Sequence, residues 1–235
     1  MNKALLLSGG IGSRIKSDVP KQYIKVGGQM MIMYSLMTLA GNENIDSIRI
    51  VAHEKWHDVI YEEMKSKQGT CPKLLDKFDG FSTPGSTRQL SIVNGLEDMA
   101  GSLSDDDVVL IHDAARPFVS DDTINALIDE CSRHDGAMPV LGCKDTMYLC
   151  AEDGRVKGLL KRSEVVAGQA PEAFRFRAYL NACKSLFPDR ILTINGSTEP
   201  AFIAGLDIVT VPGDEKNVKI TTSEDIICYC SDAGC

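Results

Sequence analysis

The chain has 235 residues, 43% of them hydrophobic, and carries 33 Asp and Glu against 25 Lys and Arg for a net charge of −8. That length and apolar content support one sizeable α/β domain, or two small ones, with a full core. The acidic balance argues against nucleic acid as the main partner, because phosphate backbones are bound by basic surfaces, and no apolar run approaches the roughly 18 residues of a membrane span.

In chain order, Lys3–Ser8 is an apolar run that reads as a buried strand ending in glycines. The N-terminal stretch is too short for a signal peptide, so cytoplasm is the expected compartment. Met31–Ala40 has a helical pattern. Ser47–Ala52 reads as a strand and Lys55–Lys67 as a helix, followed by a helix over Arg88–Ala100. Val108–His112 is a strand, and Asp121–His134 a helix with Asp121 as its expected N-cap. Ala137–Leu141 is a strand, Arg175–Leu186 a helix, Asp207–Val211 a strand and Thr222–Cys230 a closing helix.

This alternation predicts a three-layer, Rossmann-like α/β domain over residues 1–235, with a mostly parallel central sheet covered on both faces. Ligands of such sheets bind outside the carboxyl ends of the strands. The loops to watch are therefore Ser8–Lys21, His112–Pro117 and Gly142–Thr146. Residues 142–169 break the alternation. They carry short strand-like pieces around a hairpin-type turn, Glu152-Asp-Gly-Arg155, and read as a projecting β-arm.

The eight cysteines, at 71, 131, 143, 150, 183, 228, 230 and 235, include no Cys-x-x-Cys pair. They read as small, mostly buried apolar residues, with the last three near the end of the chain more open to oxidation. Asn195-Gly-Ser197 matches a glycosylation sequon and reads as a turn.

The strongest chemical signal is the loop Ser8-Gly-Gly-Ile-Gly12 with Arg14, Lys16, Lys21 and Lys25 after it. Glycines let backbone N–H groups approach phosphates, and the cations cluster positive charge in an acidic chain. The loop lacks the Gly-Lys-Ser/Thr end of a Walker A motif and the third glycine of a dinucleotide fingerprint. A competing motif from another class is His53-Glu54-Lys-Trp-His57, which matches the zinc metallopeptidase pattern. That pattern needs both histidines on one helical face. Here His53 directly follows a strand, so a helix starts too late to carry both.

Gly10-x-Gly12-x-Arg14 with Pro20-Lys21-Gln22 resembles the signature of the CTP:polyol-phosphate cytidylyltransferases, a family that includes the 2-C-methyl-D-erythritol 4-phosphate and ribitol 5-phosphate enzymes. The resemblance extends over nearly the whole chain, through Gly85-Ser-Thr-Arg88-Gln-Leu-Ser91, His112-Asp-Ala-Ala-Arg-Pro117, Lys144-Asp-Thr146, Arg162, Gly168-Gln-Ala-Pro171 and Lys219-Ile-Thr-Thr222. It implies a nucleotidyl transfer in which the substrate phosphate attacks the α-phosphorus of CTP and pyrophosphate leaves. By resemblance, Arg14, Lys21 and Lys219 are the catalytic cations. Ser8, Gly9, Gly10, Gly12, Gly85, Ser86, Ser91 and Asp113 hold the nucleotide, Asp113 also orienting sugar or polyol hydroxyls near the metal. Arg116, Thr146, Arg162 and Asn195 face the polyol phosphate. Mg²⁺ is the implied cofactor, held largely by the nucleotide, with no metal site built from protein ligands. The resemblance further implies a homodimer through the 142–169 arm, with Arg162 reaching the neighbouring subunit's site.

Two stretches depart from the family pattern. Asn195-Gly196-Ser197 stands where an acidic run is usual, and Ala170 and Glu172 stand where Thr and Gln are usual around Pro171. The departures lie on the acceptor side. They leave methylerythritol phosphate (isoprenoid precursor synthesis), ribitol phosphate and another alditol phosphate (envelope or capsule synthesis) as candidate acceptors. The wording of Gly9-Gly10 and of Gly168–Phe174 leans towards the alditol phosphates.

Overall fold

The computed structural model describes residues 1–10, 19–222 and 224–227. Its strands and helices follow in chain order as β1 (Asn2–Leu7), β2 (Lys25–Val26), β3 (Gln29–Met30), α1 (Met31–Gly41), β4 (Ser47–Val51), α2 (His57–Ser66), α3 (Lys73–Asp76), β5 (Phe78–Ser82), α4 (Arg88–Met99) and β6 (Val108–Asp113). The second half adds α5 (Asp121–Glu130), β7 (Gly136–Gly142), β8 (Tyr148–Cys150), β9 (Val156–Leu159), β10 (Val166–Gly168), β11 (Glu172–Arg175), α6 (Phe176–Lys184), α7 (Thr198–Ile203) and β12 (Ile208–Pro212).

Among the described residues, eight strands form the central sheet. Strands β6, β1, β4 and β5 lie side by side and parallel, with Leu5 opposite Ile111 on one edge of β1 and opposite Arg49 on the other. Strand β11 runs antiparallel between β6 and the first half of β7, and β10 pairs antiparallel with the second half of β7. Strand β12 runs parallel along the other edge of β7. The sheet is therefore mostly parallel, with β10 and β11 reversed.

Strand side chains alternate between faces, and both faces are apolar. Ala4, Leu6, Ile48, Ile50 and Leu110 pack under α1, α2 and α5 through Leu36, Leu39, Ile60, Met64, Ile124 and Leu127. Leu5, Val51, Val109, Ile111 and Phe174 pack under α4 and α6 through Ile92, Leu96, Phe176, Tyr179 and Leu180. This double burial explains why the parallel strands read as continuous apolar runs. Helix α4 lies close on β1: a Cβ on Gly95 would come within 2.4 Å of Leu5 Cδ1.

Several boundaries differ from the sequence reading. Helix α5 is capped by Ser120, whose hydroxyl accepts from Thr123 N, so Asp121 falls in the first turn, where its charge favours the helix dipole. The helix stops at Glu130 because residues 131–134 turn towards β7. Arg175 belongs to β11, and α6 begins at Phe176. Strands β5 and β11 and helix α7 are too short or too irregular in pattern to stand out in the sequence. Of the expected closing helix Thr222–Cys230, residues 224–227 are helical and Thr222 is not; Cys228, Cys230 and Cys235 lie outside the described residues. Of the other cysteines, Cys131 and Cys183 are buried, Cys71 and Cys143 partly so, and Cys150 is exposed.

Strands β8 and β9 pair with each other as a separate two-stranded sheet. Their turn has Gly154 at φ +83°, a left-handed conformation that favours glycine. Tyr148, Leu149, Val156 and Leu159 of this hairpin are exposed.

Leu5→Ala should lower stability by about 2–5 kcal/mol, because α4 is held over the sheet by the surrounding cluster and cannot collapse fully into the space left. Urea denaturation of the purified variant measures the loss.

Candidate active site

The carboxyl ends of the four parallel strands open onto one cleft of about 500 Å³. Ser8, Gly9 and Gly10 follow β1, His53 follows β4, Gly85 to Arg88 and Ser91 follow β5, and Asp113 to Ala115 end β6 and begin its loop. Lys21, Gln22, Lys219 and Thr221 complete the lining. The volume suits a nucleotide-sized ligand.

The loop after β1 is held from below. Gln22 Nε2 donates to the carbonyls of Ser8 and Gly10, both at 2.7 Å. Tyr23 OH donates to Ser8 O at 2.9 Å. Gly9 lies against Pro84, where a Cβ would come within 2.6 Å of the ring, so the loops after β1 and β5 meet without a side chain between them. Gly12, Arg14 and Lys16 lie outside the described residues.

The loop after β5 runs into α4. Thr87 caps the helix by accepting from Leu90 N at 3.1 Å. Ser91 Oγ accepts from Gly85 N at 3.0 Å and donates to Thr87 O at 2.9 Å. A Cβ on Gly85 would lie 2.8 Å from the Leu90 carbonyl carbon and 2.9 Å from Ser91 N, so the turn admits only glycine without a backbone shift.

Alternation along β6 sends Val109, Ile111 and then Asp113 to the face covered by α4 and α6. There Asp113 Oδ1 accepts from Arg88 Nε at 3.1 Å and Nη2 at 2.8 Å, and Oδ2 accepts from Lys219 Nζ at 2.7 Å. Burial alone would raise the Asp113 carboxyl pKa, but Arg88 and Lys219 outweigh it and hold the group well below the usual carboxylate range. His112 goes to the opposite face. It is fully buried, with its ring Nε2 3.0 Å from Arg116 O, and burial lowers its pKa to about 4, so the imidazole is neutral. The 219–221 segment is fixed beside this loop by Ile220 N donating to Ala115 O at 2.8 Å. Lys21 Nζ donates to Ile220 O at 2.6 Å.

Ser8, Gly9, Gly10, Lys21, Gly85, Ser86, Ser91, Asp113 and Lys219 thus come together in one cleft, and the proposed acceptor residues do not join them. Arg116 is partly buried and donates to Asn217 O at 2.7 Å. Thr146 and Arg162 are exposed in the segment between β7 and β10, where Arg162 Nη1 donates to Lys144 O at 3.1 Å. Asn195 is exposed, its N–H donating to Glu199 Oε2 at 2.9 Å. Sequence reasoning missed Arg88 and Gln22 as site residues, although both lie inside quoted motifs. It also missed Ser197 and Glu172, which sit behind Arg88: Arg88 Nη1 donates to Ser197 Oγ at 2.5 Å, and Ser197 Oγ donates to Glu172 Oε2 at 2.9 Å.

The His53–His57 motif does not form a metal site. His53 is extended, Glu54–Trp56 is a 3₁₀ turn, and α2 begins only at His57. The His57 ring stacks on Phe81, with its Nε2 2.9 Å from Ala52 O. Among the described residues no group of three or more His, Cys, Asp or Glu could hold a metal ion. Among the described residues Asp113 is the single carboxylate lining the cleft, and both its oxygens are engaged by cations. A magnesium ion fits this donor set only as one carried by ligand phosphates, the usual mode for a cation that keeps its waters.

The model of the family described as IspD, 2-C-methyl-D-erythritol 4-phosphate cytidylyltransferase, matches residues 3–229. The chain is 35% identical to the 2-C-methyl-D-erythritol 4-phosphate cytidylyltransferase of Clostridium beijerinckii, over 97% of this chain and 96% of that protein. It is 32% identical to the ribitol-5-phosphate cytidylyltransferase of Vibrio parahaemolyticus, over 97% and 94% of the two chains. Among solved structures it resembles the 4-diphosphocytidyl-2C-methyl-D-erythritol synthase of Anaerococcus prevotii, with a TM-score of 0.80 at 25% identity, covering 100% of this chain and 96% of that one.

Asp113→Asn should cost about 3 kcal/mol at neutral pH, since it leaves two cations facing a neutral group. The folded carboxyl pKa is depressed, so its stabilisation is present above the unfolded value of about 3.9 and is lost as pH falls towards the folded value. Urea midpoints of wild type and variant should therefore differ at pH 7 and draw together as the solution is acidified below the ordinary carboxylate range.

Proposed function

We propose, for a chain that belongs to the IspD family of cytidylyltransferases, that the cleft at the ends of β1, β4, β5 and β6 transfers CMP from CTP to a polyol phosphate. The observation that carries this reading is the convergence of Lys21, Lys219 and Arg88 with the glycine-bounded loops after β1 and β5 in one cleft. In the reaction an acceptor phosphate oxygen forms a bond to the α-phosphorus of CTP, the bond from that phosphorus to the bridging oxygen of the β-phosphate breaks, and pyrophosphate departs with the electron pair. The protein has no covalent step to perform, so its contribution is alignment and charge. Lys21 and Lys219 come from separate segments that meet at Ile220 and both line the cleft, which suits a trigonal-bipyramidal phosphorus with negative charge spread around it. Arg14, seven residues before Lys21 in the sequence, is proposed as the third cation. Gly85 and Ser91 shape the turn that receives the nucleoside, and Asp113, locked as a carboxylate, offers a fixed acceptor for hydroxyls. Magnesium carried by the triphosphate supplies further charge neutralisation.

The acceptor proposed first is 2-C-methyl-D-erythritol 4-phosphate, supported by the family model over residues 3–229 and consistent with a role in isoprenoid biosynthesis. A second reading, ribitol 5-phosphate, is favoured by the similarity to the Vibrio protein and by the neutral Asn195-Gly196-Ser197 stretch. We further propose that the 142–169 arm joins two copies of the chain, bringing Thr146 and Arg162 to the partner's cleft. The exposed Tyr148, Leu149, Val156 and Leu159 support this. No helix among the described residues is long and apolar enough to cross a membrane, and the cytoplasm is the proposed compartment.

A pyrophosphate-release assay with CTP, Mg²⁺ and a panel of polyol phosphates tests the reaction and ranks acceptors. Turnover with none of them would overturn it. Lys21→Ala should reduce kcat by about 10²–10³-fold, the usual consequence of removing one transition-state charge partner. Sedimentation equilibrium should give the mass of two chains, and deletion of the hairpin should return one.

A further inference from the structure

We propose that Glu172 is a positioning residue of the transfer reaction: from behind the cleft it orients the Arg88 guanidinium through Ser197, and so holds Asp113 and Lys219 at the cleft wall. The kinetic half of this inference rests on the cytidylyltransferase reading above. The structural half stands on the contacts alone.

Glu172 follows the same alternation that buries Phe174, two residues on in β11, against α4 and α6. It is 8% exposed, with Oε2 2.9 Å from Ser197 Oγ and 4.0 Å from Arg88 Nη2. Ser197 is fully buried and held at both ends. Its hydroxyl sits between Arg88 and Glu172, and its carbonyl accepts from Tyr179 OH at 2.7 Å. Glu172 and Ser197 are not cleft-lining residues, whereas Arg88 is. Glu172 can therefore influence the cleft only through the groups in front of it.

A carboxylate is a costly way to accept one hydroxyl hydrogen bond in the interior, since an amide accepts the same bond without a charge to desolvate. What the carboxylate adds is charge directed at Arg88. The groups facing it are Arg88 from α4, Asp113 from β6, Arg116 from the loop after β6, Tyr179 from α6, and Ser197 from the turn before α7. Burial pushes its pKa up to about 7, with Arg88 opposing and Asp113 reinforcing the shift. When Glu172 is ionised, Ser197 donates to it and leaves a lone pair for Arg88. When it is protonated, the charge facing Arg88 is gone, and its own O–H can donate to the Ser197 oxygen in place of accepting from it. The relay then loses its direction, and Arg88 keeps only Asp113 as a charged partner.

The test compares wild type, Glu172→Gln, Glu172→Ala and Ser197→Ala from about pH 5.5 to about pH 8.5, a range that spans the carboxyl midpoint. Glu172→Ala and Ser197→Ala should each lower kcat about tenfold at pH 8 with little change in KM for CTP, and the double variant should be no worse than either, because both break one relay. Glu172→Gln keeps the acceptor for Ser197 but not the charge facing Arg88, so it should restore part of the lost kcat. It should also lack the fall in kcat expected of wild type below pH 7. The acceptor's own phosphate, ionising near about pH 6, contributes equally to wild type and the Gln variant and cancels in the comparison. Wild-type kcat in Glu172→Ala, additive losses in the double variant, or the same pH profile in wild type and Glu172→Gln would each overturn the proposal. A readout independent of turnover is the NMR shift of the Arg88 Nε proton. It should titrate near pH 7 in wild type and stay flat in Glu172→Gln, and a flat wild-type response sinks the inference even if the enzyme turns over.

Discussion

Everything in the cleft hangs on the carboxylate at the end of β6. Alternation along a doubly buried strand directs Asp113 into the layer between sheet and helices, where an unpaired charge is not tolerated. Its two oxygens are claimed by Arg88, 25 residues earlier, and by Lys219, 106 residues later. One side chain thereby clips the start of α4 and the 219–221 segment to the middle of the sheet. The same contacts that neutralise the acid therefore give the cleft its shape.

The cations around this acid are arranged in depth. Arg88 is committed to Asp113 and Ser197, so it serves the architecture of the wall. Lys219 and Lys21 reach the cleft from segments joined at Ile220, where one lysine's neighbour accepts the other's hydrogen bond. An arriving triphosphate meets ammonium groups already gathered by backbone carbonyls and a carboxylate. Little rearrangement is then needed to turn them onto phosphate oxygens.

The parallel half of the sheet was legible because strands buried on both faces spell themselves as uninterrupted apolar runs. Lys3–Ser8, Ser47–Ala52 and Val108–His112 match β1, β4 and β6 within a residue or two at each end. Strand β11 was not legible. Glu172 in a four-residue strand next to Pro171 gives no period to read, and its reversed direction comes from pairing with β6, which no local pattern encodes. In the cleft, the motifs pointed to loops but could not rank the residues inside them. Arg88 was visible in its motif, yet its importance comes from meeting Asp113 across the fold. Ser197 and Glu172 were noted only as departures from a family pattern. Their proximity to each other, and to the arginine between them, is a three-dimensional fact.

The stretch from Thr193 to Ser197 is attached to the protein quite differently from the loops around it. The loops after β1, β5 and β6 are continuations of paired strands; those after β1 and β5 are clamped at Gly9 and Gly85, where no side chain would fit, and the one after β6 is held by Ile220 N donating to Ala115 O. The 193–197 stretch has no strand partner. It is moored by the Ser197 hydroxyl and carbonyl and by Glu199. Residues 193–196 can thus be exchanged without touching any strand pairing, whereas a change at Ser197 or Glu172 reaches Arg88 and, through it, Asp113. The molecule joins a rigid sheet to a loosely moored edge, and one buried serine carries the coupling between them.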